Sequence, residues 1–299
     1  MKSSLEHLPE KKQRELARVV EIIHEEFEDA LKGGEAEFKK KGRIWKIILF
    51  GSYARGTWVD EPHTTKGYRS DYDILIIVST KKLTEPEYWY AAKDRLMRDR
   101  GIKTPVGVIV HSRREVGDHL HMGQPFFSDI RRDGIVLYEL TDDPLPEPKP
   151  TSPAEMYRIA AGHFEMFRRA GKYLKGARFY TIEADVDEAS FLIHQSIEQA
   201  YSTLLLTLTN YAPASHNIKF LRALAEDRDR RLAVAWPRDR QRFTAWFNLV
   251  NEAYVKARYS PYYEISYEAL IWLGERTAEL HRLVATVCEE HLALLKSRL

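Results

Sequence analysis

Five of the chain's thirteen prolines fall within residues 141–153, TDDPLPEPKPTSP. Prolines this closely spaced remove backbone donors and hold the chain extended, so neither a helix nor a central strand can run through them. The stretch therefore divides the chain, and each half must close a core of its own. The halves differ in pattern. Before the prolines, apolar residues recur with the period of helices in some stretches and of strands in others. After them the helical period prevails. With 299 residues, 44% of them apolar, each half has enough to bury. The expected organisation is one domain over 1–140, a proline-rich linker over 141–152 and a second domain over 153–299.

In the first half, residues 8–32 read as an amphipathic helix with Leu16, Val19, Val20, Ile23 and Phe27 on one face. Residues 45–50 read as a short apolar strand ending at Gly51, and 71–78 as a second strand, apolar enough to be covered on both faces. A helix over 86–100, a strand over 105–111 and a last strand over 135–138 complete an alternation typical of an α/β domain. In the second half Ser152, Pro153 and Glu155 form a helix start, with Ser as cap, Pro in the first turn and Glu at the third position. Helices are expected over 153–176, 186–210, 216–227, 239–258 and 267–297, in an up-and-down bundle.

Composition excludes several classes. Lys and Arg number 46 against 44 Asp and Glu, so bulk positive charge does not indicate nucleic acid as a partner. The single cysteine, Cys288, rules out an internal disulfide and a cysteine-based zinc cluster. No run of 18 apolar residues and no export-type leader is present, so the expectation is a cytoplasmic protein without a membrane partner.

The chemistry is concentrated in FGSYARG (50–56) and SDYDILI (70–76). Gly51 and Ser52 follow directly on a strand, where a glycine lets backbone approach a ligand and the next N–H groups and the Ser hydroxyl can hold phosphate. Asp71 and Asp73, two residues apart on a strand, point to one face and can grip a hard cation such as Mg²⁺. An apolar strand gains nothing in packing from two like charges on one face; the competing reading is that they cap the strand start in solvent.

Together these residues resemble the DNA polymerase β-like nucleotidyltransferase superfamily, especially the minimal nucleotidyltransferases and, more distantly, kanamycin nucleotidyltransferase. The resemblance covers about 40–140, including IRRDGIVLY (130–138). It implies an α+β (α/β) nucleotidyltransferase domain with a small mixed sheet, using a nucleoside triphosphate, ATP, with Mg²⁺ or Mn²⁺. It makes Asp71 and Asp73 the catalytic metal ligands and Gly51 and Ser52 the phosphate-holding turn. Arg55 and Lys66 join the nucleotide-binding set, although Arg55 serves equally well in a surface salt bridge. In the long spacer over 57–70, Trp58, Lys66, Tyr68 and Arg69 could stack on and contact the nucleotide, or pack as a lid on themselves. The sequence departs from the family at the third carboxylate: in PVGVIVH (105–111) Gly107 stands where that acid is expected, with Ile109 and His111 next on the same face. A glycine neither ligates nor takes a proton. His119 and His121, with Asp118, make no recognisable metal site.

In the second half, FLIHQSIEQAYSTLLL (191–206) and SHNIKFL (215–221) resemble the HEPN fold, an all-α up-and-down bundle often paired with minimal nucleotidyltransferases. Its ribonuclease motif is an Arg, four to six intervening residues, then a His. Here Arg258 leads to Tyr263, Glu264 and Ile265 at those spacings, so ribonuclease activity is not expected. Tyr259, Tyr262 and Tyr263 stand where relatives can accept AMP, or simply pack as aromatics. The resemblance implies a homodimer through the bundle. The expected function is transfer of a nucleoside monophosphate, AMP, to a hydroxyl of a small molecule or protein. The alternative is a catalytically weakened nucleotide-binding module of a toxin–antitoxin-like nucleotidyltransferase–HEPN pair.

Overall fold

The computed structural model describes residues 1–60 and 69–299. Met1–Asp60 and Arg69–Pro150 form one compact unit, and Thr151–Leu299 belongs to a second.

The first unit is built on a four-stranded sheet of β1 (Ile44–Phe50), β2 (Tyr72–Val78), β3 (Val106–Ser112) and β4 (Ile135–Glu139), in the order β3-β2-β1-β4. β1 is antiparallel to β2 and β4, and β2 is parallel to β3, which makes the sheet mixed. All seven residues of β1 and of β2 are buried, because helices cover both faces. On one face, α1 (Glu10–Leu31) lays Leu16, Val19, Ile22, Ile23 and Phe27 against Ile47, Leu49, Tyr72, Ile74, Ile76 and Val108. After α1 come the single turn α2 (Glu37–Lys40) and the short α3 (Gly51–Arg55), which follows β1 without a break. α4 (Tyr90–Arg98) crosses from β2 to β3 and packs on α1. The opposite face is covered by α5 (Arg113–His121) and α6 (Pro125–Asp133). Phe126 meets Phe50 at a ring separation of 5.5 Å, and Phe127 meets His111 at 5.3 Å.

The sequence pattern anticipates α1 and all four strands. It passes over α5 and α6, although Ser112 and Glu115 form a full capping box at the start of α5 and Pro125 opens α6.

The second unit is wholly helical: α7 (Pro153–Glu165), α8 (Arg168–Ile182), α9 (Val186–Thr209), α10 (Ile218–Arg228), α11 (Gln241–Tyr259) and α12 (Tyr267–Lys296). α9 is the hub and packs against α7, α8, α10, α11 and α12. Its buried hydroxyls are satisfied by backbone: Ser196 donates to the Ala170 carbonyl, and Thr207 and Thr209 to carbonyls one turn back. The single helix expected over 153–176 is two, broken between Glu165 and Arg168. Among the described residues, no helix is long and apolar enough to cross a membrane.

Two histidines of this unit, one buried and one half-buried, are held neutral. His194 is fully buried, with Nε2 at 2.9 Å from the His216 carbonyl, and His281 has Nε2 at 3.0 Å from the Ser196 hydroxyl. Burial pushes both down to about 4, from an ordinary value of 6.5. The unfolded chain takes up these protons first as pH falls. Their contribution is therefore fully present above pH 6.5 and is lost between 6.5 and 4. The thermal midpoint is expected to drop across that window, and His281→Gln, read by scanning calorimetry, to flatten the drop.

Candidate functional site

The site begins where β1 ends. Phe50 is extended, and Gly51 then turns the chain at φ +73°, a conformation that L side chains rarely adopt. A Cβ at Gly51 would lie 2.3 Å from Asp73 Oδ2. The Gly-Ser turn and the second aspartate are thus packed backbone against carboxylate, and only glycine leaves the space. α3 continues through Ser52, which is buried, to Arg55, and Gly56 closes it in the left-handed region at φ +77°.

Asp71 and Asp73 flank Tyr72 at the start of β2. Tyr72 turns into the core beneath α1, so alternation sends Asp73 to the other face of the sheet. Register defines that face in rows: Phe50, Asp73 and Gly107 stand side by side, then Ile48, Leu75 and Ile109, then Lys46, Ile77 and His111. Gly107 is therefore the direct neighbour of Asp73, the place at which the family resemblance leads one to expect a third acid. Asp73 is 4% exposed and Asp71 is half-buried.

The donor chemistry of this pair is all oxygen and anionic, and the glycine keeps backbone close to it. That suits a hard divalent cation with an anionic ligand. Among the described residues no group of three or more His, Cys, Asp or Glu is placed to hold a metal ion, in keeping with glycine at position 107.

The other anticipated residues divide. Arg55 is exposed at the end of α3, and its charge helps hold the Asp133 carboxyl below its ordinary value, after the larger effect of Arg132. Lys66 and Tyr68 lie outside the described residues. Trp58 is engaged in packing, stacked on Tyr53 at 5.6 Å with His7 edge-on. Arg69 donates to Asp60 and to the Lys103 carbonyl. Val59 and Ser70 exchange hydrogen bonds, and Asp60 pairs with Arg69, so these residues meet in a neck just ahead of Asp71. His111 is two rows from Asp73, roughly 13 Å along the strand. Burial between His119 and Phe127 pushes it down to about 4, which keeps it neutral. His119 is stacked on Phe127 at 4.5 Å.

A polar network under the site went unread in the sequence. Glu15, 3% exposed, accepts from the Tyr72 hydroxyl at 3.2 Å and from Thr104 at 2.8 Å; Lys12 donates to Thr104 at 2.6 Å. The available signal was an acid, Glu15, standing four residues before Val19 in the apolar stripe of α1.

In the helical unit, Arg258 donates to the Tyr254 carbonyl and lies against the rings of Tyr254, Phe191 and Tyr259. Tyr254 is also stacked by His216, a histidine from elsewhere in the chain, whose Nδ1 is 3.0 Å from Glu198. Tyr263 is buried, whereas Tyr259 and Tyr262 are exposed.

Gly51→Ala forces a side chain into the left-handed region and against Asp73. It is expected to lower stability by about 1–3 kcal/mol, read by urea unfolding.

With this geometry in hand, comparison with known proteins is informative. The HEPN domain family matches residues 165–289. A protein of Methanocaldococcus jannaschii described as a "putative protein adenylyltransferase" is 51% identical over 113 residues, which are 38% of this chain and 92% of that relative.

Proposed function

The chain belongs to the nucleotidyltransferase family of this archaeal relative and carries a HEPN domain; from that premise we propose that its first unit binds a nucleoside triphosphate with Mg²⁺ or Mn²⁺ at Gly51, Ser52, Asp71 and Asp73 and transfers AMP to a hydroxyl. The observation that carries this reading is the contact of the Gly51 backbone with the Asp73 carboxylate. It joins a phosphate-approaching turn to a cation ligand without a side chain between them. The relative's name speaks for AMP and for a protein acceptor.

In such a transfer the acceptor oxygen bonds to the α-phosphorus, the bond to the bridging oxygen breaks, and pyrophosphate leaves with that electron pair. Gly51 and Ser52 would present backbone to the phosphates, and Asp71 and Asp73 would hold the cation. When bound, the cation neutralises phosphate charge. The acceptor's proton must also go to a base. Gly107 offers none in the row of Asp73, and His111 is held two rows away. Losing a general base commonly costs on the order of 10²–10⁴ in rate. The wild type is therefore read as a firm nucleotide binder and a slow transferase. The same vacancy in the row favours the second reading, a nucleotide-binding module whose transfer has decayed.

Calorimetry with Mg²⁺ and ATP is expected to show binding that Asp71→Asn/Asp73→Asn abolishes; equal affinity in the double variant would refute the site. With α-labelled ATP and a protein acceptor, single-turnover transfer is expected to be slow in the wild type and faster in Gly107→Asp. A wild type with no transfer at all, under conditions where it binds ATP, decides for the binding module.

A further inference from the structure

We propose that Lys12, Glu15, Tyr72 and Thr104 are positioning residues of the two-aspartate site, fixing from the far side of the sheet the relative placement of the Gly51–Ser52 turn and the Asp71/Asp73 pair. The inference rests on the cation–nucleotide reading of that site.

Five parts of the first unit meet in this network. Tyr72, fully buried, is the residue between the two aspartates, and its hydroxyl donates to Glu15 Oε2 at 3.2 Å. Thr104, 2% exposed, lies three residues before Gly107 and donates to the same oxygen at 2.8 Å. Lys12, one turn before Glu15 on α1, donates to Thr104 at 2.6 Å and pairs with Asp60 at 3.4 Å in the neck ahead of Asp71. Its ammonium also lies 5.5 Å from the Tyr53 ring and 5.8 Å from the Tyr72 ring, which are 4.5 Å apart. Tyr53 directly follows Ser52. One turn of α1 is thus tied to the Gly-Ser turn, the strand of the aspartates, the start of β3 and the spacer neck.

Stability does not explain such an arrangement. Burying a carboxylate is costly, and apolar side chains of similar volume fill a core at least as well. Here the cost is not fully recovered, since Glu15 Oε1 is buried with no hydrogen-bond partner among the described residues. What hydrogen bonds add over apolar contacts is direction, because each fixes one atom at one distance. Tyr72 and its flanking aspartates share a short extended backbone. Holding the Tyr72 hydroxyl limits how far that backbone can twist, and so where the two carboxylates stand.

The choice of cation then becomes the readout. Mg²⁺ demands near-ideal octahedral geometry at short distances, whereas Ca²⁺ accepts longer and looser coordination. Loosened carboxylates penalise Mg²⁺ more than Ca²⁺; a merely structural role lowers the melting point and leaves the ratio alone.

The test is calorimetric titration of ATP, with saturating Mg²⁺ or Ca²⁺, into wild type, Tyr72→Phe and Thr104→Val. The two variants delete one hydroxyl each from different elements, so either alone suffices should the other fail to fold. Circular dichroism establishes the folded state. The expected result is roughly a 10–100-fold loss of affinity with Mg²⁺, the range seen when partners behind metal ligands are removed, and a smaller loss with Ca²⁺. Folded variants that bind Mg²⁺–ATP like wild type, or that lose Mg²⁺ and Ca²⁺ equally, overturn the inference. Asp71→Asn/Asp73→Asn separates the two levels: if it binds as wild type does, the site reading itself falls; if it abolishes binding while the hydroxyl deletions do nothing, only the positioning role falls.

Discussion

Strand β2 has no solvent-facing residue along its seven positions, with β1 on one side, β3 on the other and helices over both faces. A strand so enclosed tolerates charge only at an end where something compensates it. Asp73 sits at that end, against a glycine backbone and beside a second glycine across the ladder. The rest of the first unit follows from this placement. α1 must cover one face, which brings Glu15 under Tyr72. α5 and α6 must cover the other, and they take His111, two rows from Asp73, into an aromatic cluster.

The same enclosure bears on chemistry. A carboxylate in this position is poorly hydrated, so solvent screens its attraction for a cation less than at the surface. On the function proposed above, the difference between holding a nucleotide and reacting it turns on one position in one row, Gly107 beside Asp73.

Much of this was legible in the sequence because period and punctuation agreed. The strands over 45–50 and 71–78 are apolar runs ended by glycine or opened by acids, and the residues at 50–56 and 70–76 stand close to where the pattern put them. Elsewhere the signals conflicted. Residues 166–167 are Met and Phe, which neither break a helix nor cap one, so the pattern reads through the break between α7 and α8. The α5–α6 pair is short and rich in His, Arg and Asp, which blurs its apolar face. Trp58 resembles a ligand-stacking residue in composition alone, and only its contact with Tyr53 shows it in the packing. The Glu15 network was hidden because its members are far apart in sequence: positions 12, 15, 72 and 104 meet only once the parallel pairing of β2 with β3 has formed.

The neck formed by Val59 with Ser70 and Asp60 with Arg69 has a consequence for where the next strand begins. Whatever length of polypeptide leaves at Asp60 and returns at Arg69, the strand that follows starts from the same two rungs. Arg69 and Ser70 run directly into Asp71, so a pairing made upstream of the strand sets the address of its carboxylates.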